Sequence, residues 1–208
     1  MTQAYPSGSL LIAAPPEDLC LSYVNTLYWR GSTPPTESLS TWEDLLAWSA
    51  GALGYAPADL APLEAWSRAH AAQAARMFDL ALALREAMFR IFSALATGQA
   101  VADPDLAALN QALTEAPRRG ELARAGSGYA WRVAALMPSV PVLLAPVLWS
   151  AADQMTRIAP HRVRQCANPK CLWLFVDASK GGTRRWCDMS SCGNRAKAQR
   201  HYQKTRPA

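Results

Sequence analysis

Apolar residues recur at helical spacing through the first three quarters of this chain. In EDLCLSYVNTLYW (residues 17–29), Leu19, Tyr23, Val24 and Leu27 fall on one helical face. Ser40 stands three residues before Glu43, a capping-box signature, and opens an amphipathic run that Gly51 or Gly54 ends. The longest helical pattern covers residues 61–98, with Trp66, Met77, Leu80, Leu84, Met88, Ile91 and Leu95 on one face and Gly98 closing it. A further helix starts with Asp103 as N-cap and Pro104 at its first position. The pattern then changes: Gly120, Gly126 and Gly128 punctuate short runs that fit a β-hairpin. A last helix is expected from Pro141 to Arg157, with Pro160 marking its end.

Residues 133–152 are uncharged for twenty positions, long enough to span a bilayer. Pro138, Pro141 and Pro146 interrupt the stretch, so a buried helix is expected instead, with proline in its first turn. The N-terminus has no basic region, and its apolar run covers only Leu10 to Ala14, unlike a signal peptide. A cytoplasmic protein with no membrane association is expected, in a compartment where grouped cysteines bind metal more often than they form disulfides.

Charge divides the chain. Residues 1–156 carry 9 Lys and Arg against 14 Asp and Glu, whereas residues 157–208 carry 12 against 2. A basic segment of this kind points to a polyanionic partner. The patterns together predict a mainly α (α+β) protein. A helical domain with a small β-hairpin spans residues 1–158. A second module, residues 159–208, is too short for a core of its own and needs a metal staple.

That module holds four of the five cysteines, as Cys166-x4-Cys171 and Cys187-x4-Cys192. Two pairs of soft thiolates suit a tetrahedral zinc ion, with an iron–sulfur cluster or unliganded thiols as the alternatives. Between the pairs, LWLFV (172–176) reads as a strand, DASKGG as a turn and TRRW (183–186) as a returning strand. A helix follows Cys192. At about 100° per residue, Lys197, Arg200, His201 and Lys204 share one side, and Arg195, Gln199 and Tyr202 the other. Lys180, Arg184, Arg185, Lys197, Arg200 and Lys204 are therefore the candidate phosphate contacts. Asn194, Arg195 and Trp186 are expected to support the zinc module. Trp173, Phe175 and Trp186 are better used as its core than as stacking platforms. Cys20, on an apolar helical face, reads as a buried structural thiol.

FVDASKGGTRRWCDMSSCGNRAKAQ strongly resembles the CGNR zinc-finger family, through RRWC (184–187) and the tetrapeptide Cys192-Gly193-Asn194-Arg195. LCLSYVNTL (19–27) resembles the opening of the helical ABATE domain that precedes this finger in bacterial proteins. Ser22 stands where that family usually has Asp, and Gly181-Gly182 replaces a more polar turn. The resemblance implies a stress-induced transcription regulator that binds DNA through its finger. On that reading the helical domain serves for homodimerisation or for sensing a small-molecule effector.

RNA or a protein partner is the alternative, since charge alone does not identify the polyanion. A catalytic role is not expected: the sequence has no phosphate loop, HExxH or paired-carboxylate motif, and His70, His161 and His201 are scattered.

Overall fold

The computed structural model describes residues 8–157 and 162–205, apart from the side chains of 157, 199–201 and 203–205. The protein is mainly helical. The short strand β1 (Ser9–Ile12) leads to α1 (Leu19–Val24), and β2 (Leu27–Tyr28) and β3 (Thr36–Glu37) form a two-stranded ladder. Helices α2 (Trp42–Leu53), α3 (Pro57–Ala69), α4 (Ala71–Thr97) and α5 (Asp103–Glu115) follow. The hairpin β4 (Leu122–Ala125) and β5 (Gly128–Ala134) comes next, then α6 (Val140–Leu143) and α7 (Ala145–Arg157). The basic segment contributes β6 (Val163–Gln165), β7 (Leu174–Val176) and α8 (Asn194–Thr205).

Helix ends sit close to their sequence signals. At α2 the capping box lies one residue later than expected: Thr41 Oγ1 accepts from the Asp44 N–H at 3.1 Å, and the Asp44 carboxylate accepts from the Thr41 N–H at 3.0 Å. Gly54, not Gly51, ends the helix in the left-handed conformation. Helix α5 is capped at Ala102, one residue before the expected Asp103, with Pro104 in its first turn. Leu27, expected on the helical face of α1, instead lies in β2 after the helix stops at Val24.

The long pattern of residues 61–98 is two helices. His70 leaves helical geometry (φ −134°, ψ 48°), and its carbonyl accepts from Gln73 and Ala74 at the start of α4. Its ring stacks on Trp66, and Nδ1 lies 2.9 Å from the Trp66 carbonyl oxygen. The buried face of α4 is built on Ala74, Phe78, Ala81, Leu84, Met88, Ile91 and Phe92, leaving Leu80 63% exposed, contrary to expectation. Small residues at 74 and 81 let neighbours approach closely, and the Tyr23 hydroxyl donates to the Ala81 carbonyl at 2.7 Å.

The expected hairpin is present, with Leu122 opposite Trp131 and Ala125 opposite Gly128. Its third strand came unforeseen. β1 pairs antiparallel to β5, Ser9 opposite Ala134, and buries Leu10 and Ile12. The uncharged stretch 133–152 runs from the end of β5 into α6 and α7, which break at Leu144 rather than continuing from Pro141. Leu143, Leu144, Val147, Leu148 and Ala151 are fully buried there, and each such leucine contributes about 1.5–3 kcal/mol of burial free energy. Among the described residues no helix is long and apolar enough to cross a membrane.

The boundary at 158/159 lies outside the described residues, as do His161 and Pro160. Beyond it the basic segment is built into the same core: Val163 of β6 and Leu174 of β7 are buried with the residues of α1 and α4. Asn25, just after α1, clamps this junction. Its Nδ2 donates to the Leu174 carbonyl at 2.8 Å, and its Oδ1 accepts from the Leu174 N–H at 3.0 Å.

Candidate metal centre

The strand pairing around the cysteines differs from the sequence expectation. LWLFV does not pair with TRRW. β7 pairs with β6, Val163 opposite Val176 and Gln165 opposite Leu174, so the first cysteine pair forms the loop of that hairpin. The reason is apolar: Val163 and Leu174 share a buried face, which the basic segment 183–186 lacks. Residues 183–186 return alongside as a coil, held by the Ala167 N–H to the Arg185 carbonyl at 2.9 Å. The Arg184 N–H donates to the buried Asp177 carboxylate, also at 2.9 Å.

Each cysteine pair sits on a tight turn. In the first, the Asn168 carbonyl accepts from the Cys171 N–H at 2.9 Å and its side-chain oxygen from the Lys170 N–H at 3.1 Å. In the second, the Asp188 carboxylate accepts from the Ser191 N–H at 2.7 Å. A wide helical turn over Met189–Gly193 then leads directly into α8. Asn194 Nδ2 donates back to the Ser190 carbonyl at 3.0 Å.

These turns bring the sulfurs of Cys166, Cys171, Cys187 and Cys192 within 4.8 Å of one another. Cys171 and Cys187 lie 3.7 Å apart, Cys187 and Cys192 3.8 Å. All four are free thiols. Four sulfurs at a metal–sulfur distance of about 2.3 Å in a tetrahedron stand roughly 3.8 Å apart, so the cluster has the dimensions of a tetrathiolate metal site. Without a cation the cluster cannot ionise throughout. The Cys166 thiol is pulled down to about 5, chiefly by a hydrogen bond from Cys171, which raises Cys171 in turn, and burial pushes Cys187 up to about 12. A divalent ion removes that conflict by stabilising all four thiolates together. Asn168 Nδ2 adds a donor 3.5 Å from the Cys192 sulfur.

Phe175, Trp173 and Trp186 pack around the cysteines as expected, joined by Trp29 from the segment after β2. Trp29 was missed: nothing in its local sequence links it to cysteines more than 130 positions away. The Arg195 guanidinium lies 4.6 Å from the centre of this Trp29 ring. Tyr202, on the same side of the helix as Arg195 by its spacing, is 74% exposed.

Lys180, Arg185 and Lys197 are exposed, with Arg185 over the Trp186 ring at 5.6 Å. Arg184 is exposed as well, and its guanidinium also donates to the Trp186 carbonyl at 2.9 Å and to the Cys187 carbonyl, and lies 4.5 Å from the Phe175 ring centre. Those bonds fasten it to the second cysteine pair while leaving it at the surface. The side chains of Arg200, His201 and Lys204 lie outside the described residues. Cys20 is fully buried, as expected, and burial pushes its thiol up to about 12. Ser22 is exposed on α1.

Two family models match the chain in the expected order. One, described as "Putative stress-induced transcription regulator" (ABATE), covers residues 17–157, and the other, the CGNR zinc finger, covers residues 162–205. Comparison with curated proteins gives no match.

Proposed function

This chain belongs to the ABATE family and carries a CGNR zinc finger, and from that premise we propose that it is a zinc-dependent, DNA-binding transcription regulator of the bacterial cytoplasm. The observation that carries the reading is the convergence of four sulfurs within 4.8 Å on a segment that also presents Lys180, Arg185 and Lys197 to solvent. Cys166, Cys171, Cys187 and Cys192 hold the ion. Bound zinc supplies the positive charge that lets four crowded thiolates coexist and so folds both turns. Arg184, Asn168 and Asn194 hold the turns, and the exposed basic residues, with Arg200 and Lys204 of α8, neutralise phosphates. The N-terminal domain, with its excess of acidic residues, serves for homodimerisation or effector sensing and not for nucleic-acid contact.

Duplex affinity measured against salt tests this. If about five phosphates are neutralised, a fourfold rise in salt weakens binding roughly 10²–10³-fold. Replacing Lys180, Arg185 and Lys197 together by Ala weakens all duplex sequences alike and flattens the salt slope by about three units. Unchanged affinity in that variant removes the nucleic-acid role and leaves a protein partner. Tighter binding of single-stranded RNA than of duplex DNA replaces DNA by RNA.

A further inference from the structure

A cleft of about 280 Å³ opens beside the cysteine cluster. Both halves of the chain wall it: Tyr28 and Trp29 from the end of β2, Trp173 from the first cysteine loop and Asp188 from the second. The Tyr28 and Trp173 rings pack with centroids 5.3 Å apart and a 33° tilt. Trp29 already carries one cation, Arg195, which lines a different cavity and not this one. Three aromatic residues thus line one small space, together with Asp188, whose carboxylate also accepts from the Ser190 hydroxyl and the Ser191 N–H.

Charge decides what such a space accepts. Three of the cysteines line the cleft, and four thiolates around one divalent ion carry a net charge of minus two. Asp188 adds a third negative charge. Among the described lining residues none is Lys or Arg. A nucleotide would stack well on the rings but bring its phosphate against like charge. A neutral apolar ligand would strip water from Asp188 and return nothing. An alkylated ammonium group satisfies both features, since ring faces and anions attract it together.

We propose that this cleft binds a small quaternary or methylated ammonium cation, held by Tyr28, Trp29 and Trp173 and balanced by Asp188 and the thiolates. The charge balance rests on the tetrathiolate reading given above. A cation seated there touches both β2 and the second cysteine turn, so its binding joins the N-terminal domain to the finger.

The experiment titrates the full-length, zinc-loaded chain with choline and with 3,3-dimethylbutan-1-ol, which has the same shape without charge. Tryptophan indole N–H resonances report binding at constant ionic strength, and elemental analysis gives the zinc content of each sample. Choline is expected to bind at least about tenfold more tightly than the alcohol, and Tyr28→Leu to weaken choline about three- to fivefold with zinc content unchanged. Tyr28 is 37% exposed, so this substitution leaves the fold in place. Equal affinity for the two compounds overturns the proposal, as does tighter binding of adenosine monophosphate. A sample with one zinc per chain that is blind to choline overturns this proposal alone. A sample without zinc overturns the metal reading and the charge argument with it.

Discussion

Arg195 sits with its guanidinium 4.6 Å from the centre of the Trp29 ring, joining the start of α8 to a residue that directly follows β2. The arginine of the CGNR tetrapeptide therefore ties the finger's helix to the N-terminal domain. At a partly exposed site such a contact is worth about 0.5–1 kcal/mol. A double-mutant cycle of Arg195→Ala and Trp29→Leu is expected to return a coupling free energy of about that size, with one zinc per chain retained in Arg195→Ala. Loss of zinc from Arg195→Ala would place the side chain in the metal module instead.

A metal at the four cysteines is expected to hold the turns more than the strands. Val163 and Leu174 are buried in the main core and pinned by Asn25, whereas residues 183–193 have few such anchors beyond Arg184 and the cysteines. Chelation is expected to strip amide-exchange protection from residues 183–193 while leaving α4 protected and β6–β7 only partly loosened. Cys171→Ser should reproduce this pattern and lower zinc affinity at least about tenfold. Simultaneous exposure of α4 on chelation would show that the core depends on the ion.

Two positions govern docking of the first cysteine turn. A Cβ on Gly31 would fall 1.8 Å from the Pro169 carbonyl oxygen, a backbone atom that cannot move aside alone. Gly31→Ala is therefore expected to displace the Asn168–Lys170 turn and weaken zinc retention, seen as faster transfer of zinc to a chromogenic chelator. Asn25→Ala orphans a buried N–H and a buried carbonyl of Leu174 and should cost about 2–3 kcal/mol in chemical denaturation. A loss below about 0.5 kcal/mol would mean that water replaces the clamp.

A buried ion cluster sets part of the acid stability. Arg30 donates to both Glu86 oxygens at 2.6 and 3.0 Å, and Arg85 to Glu86 at 3.0 Å and to Glu37 at 2.6 and 2.7 Å. Burial works to raise the Glu86 carboxyl, but hydrogen bonds and charge from Arg30 and Arg85 outweigh it and hold the group below its ordinary value of 4.5. A depressed folded value makes its stabilisation complete above about that pH and lost as pH falls through the lower one. Glu86→Gln is expected to cost about 2 kcal/mol at neutral pH, discounted for the partial exposure of Glu86. That gap should narrow as pH drops below about 4.5, and a gap independent of pH would assign the loss to packing alone.

Local chemistry fixed what was readable in the sequence. Four thiols at paired spacing, turn residues between them and a basic run after them specify a metal-stapled basic module wherever it docks, because ligand softness and charge belong to the residues themselves. The Gly98 helix stop, the proline start of α5 and the 122–134 hairpin were legible for the same reason: each depends on backbone preferences within a few positions. Tertiary structure decided the rest. β1 finds β5, β7 pairs with β6, the pattern around His70 breaks into two helices, and Trp29 comes to the cysteines, all through contacts between distant segments. A three-residue strand such as β6 has too short a hydrophobic period to announce its partner. Burial of Val163 and Leu174 against α1 and α4 selects that pairing, and no local pattern encodes the surface they bury against.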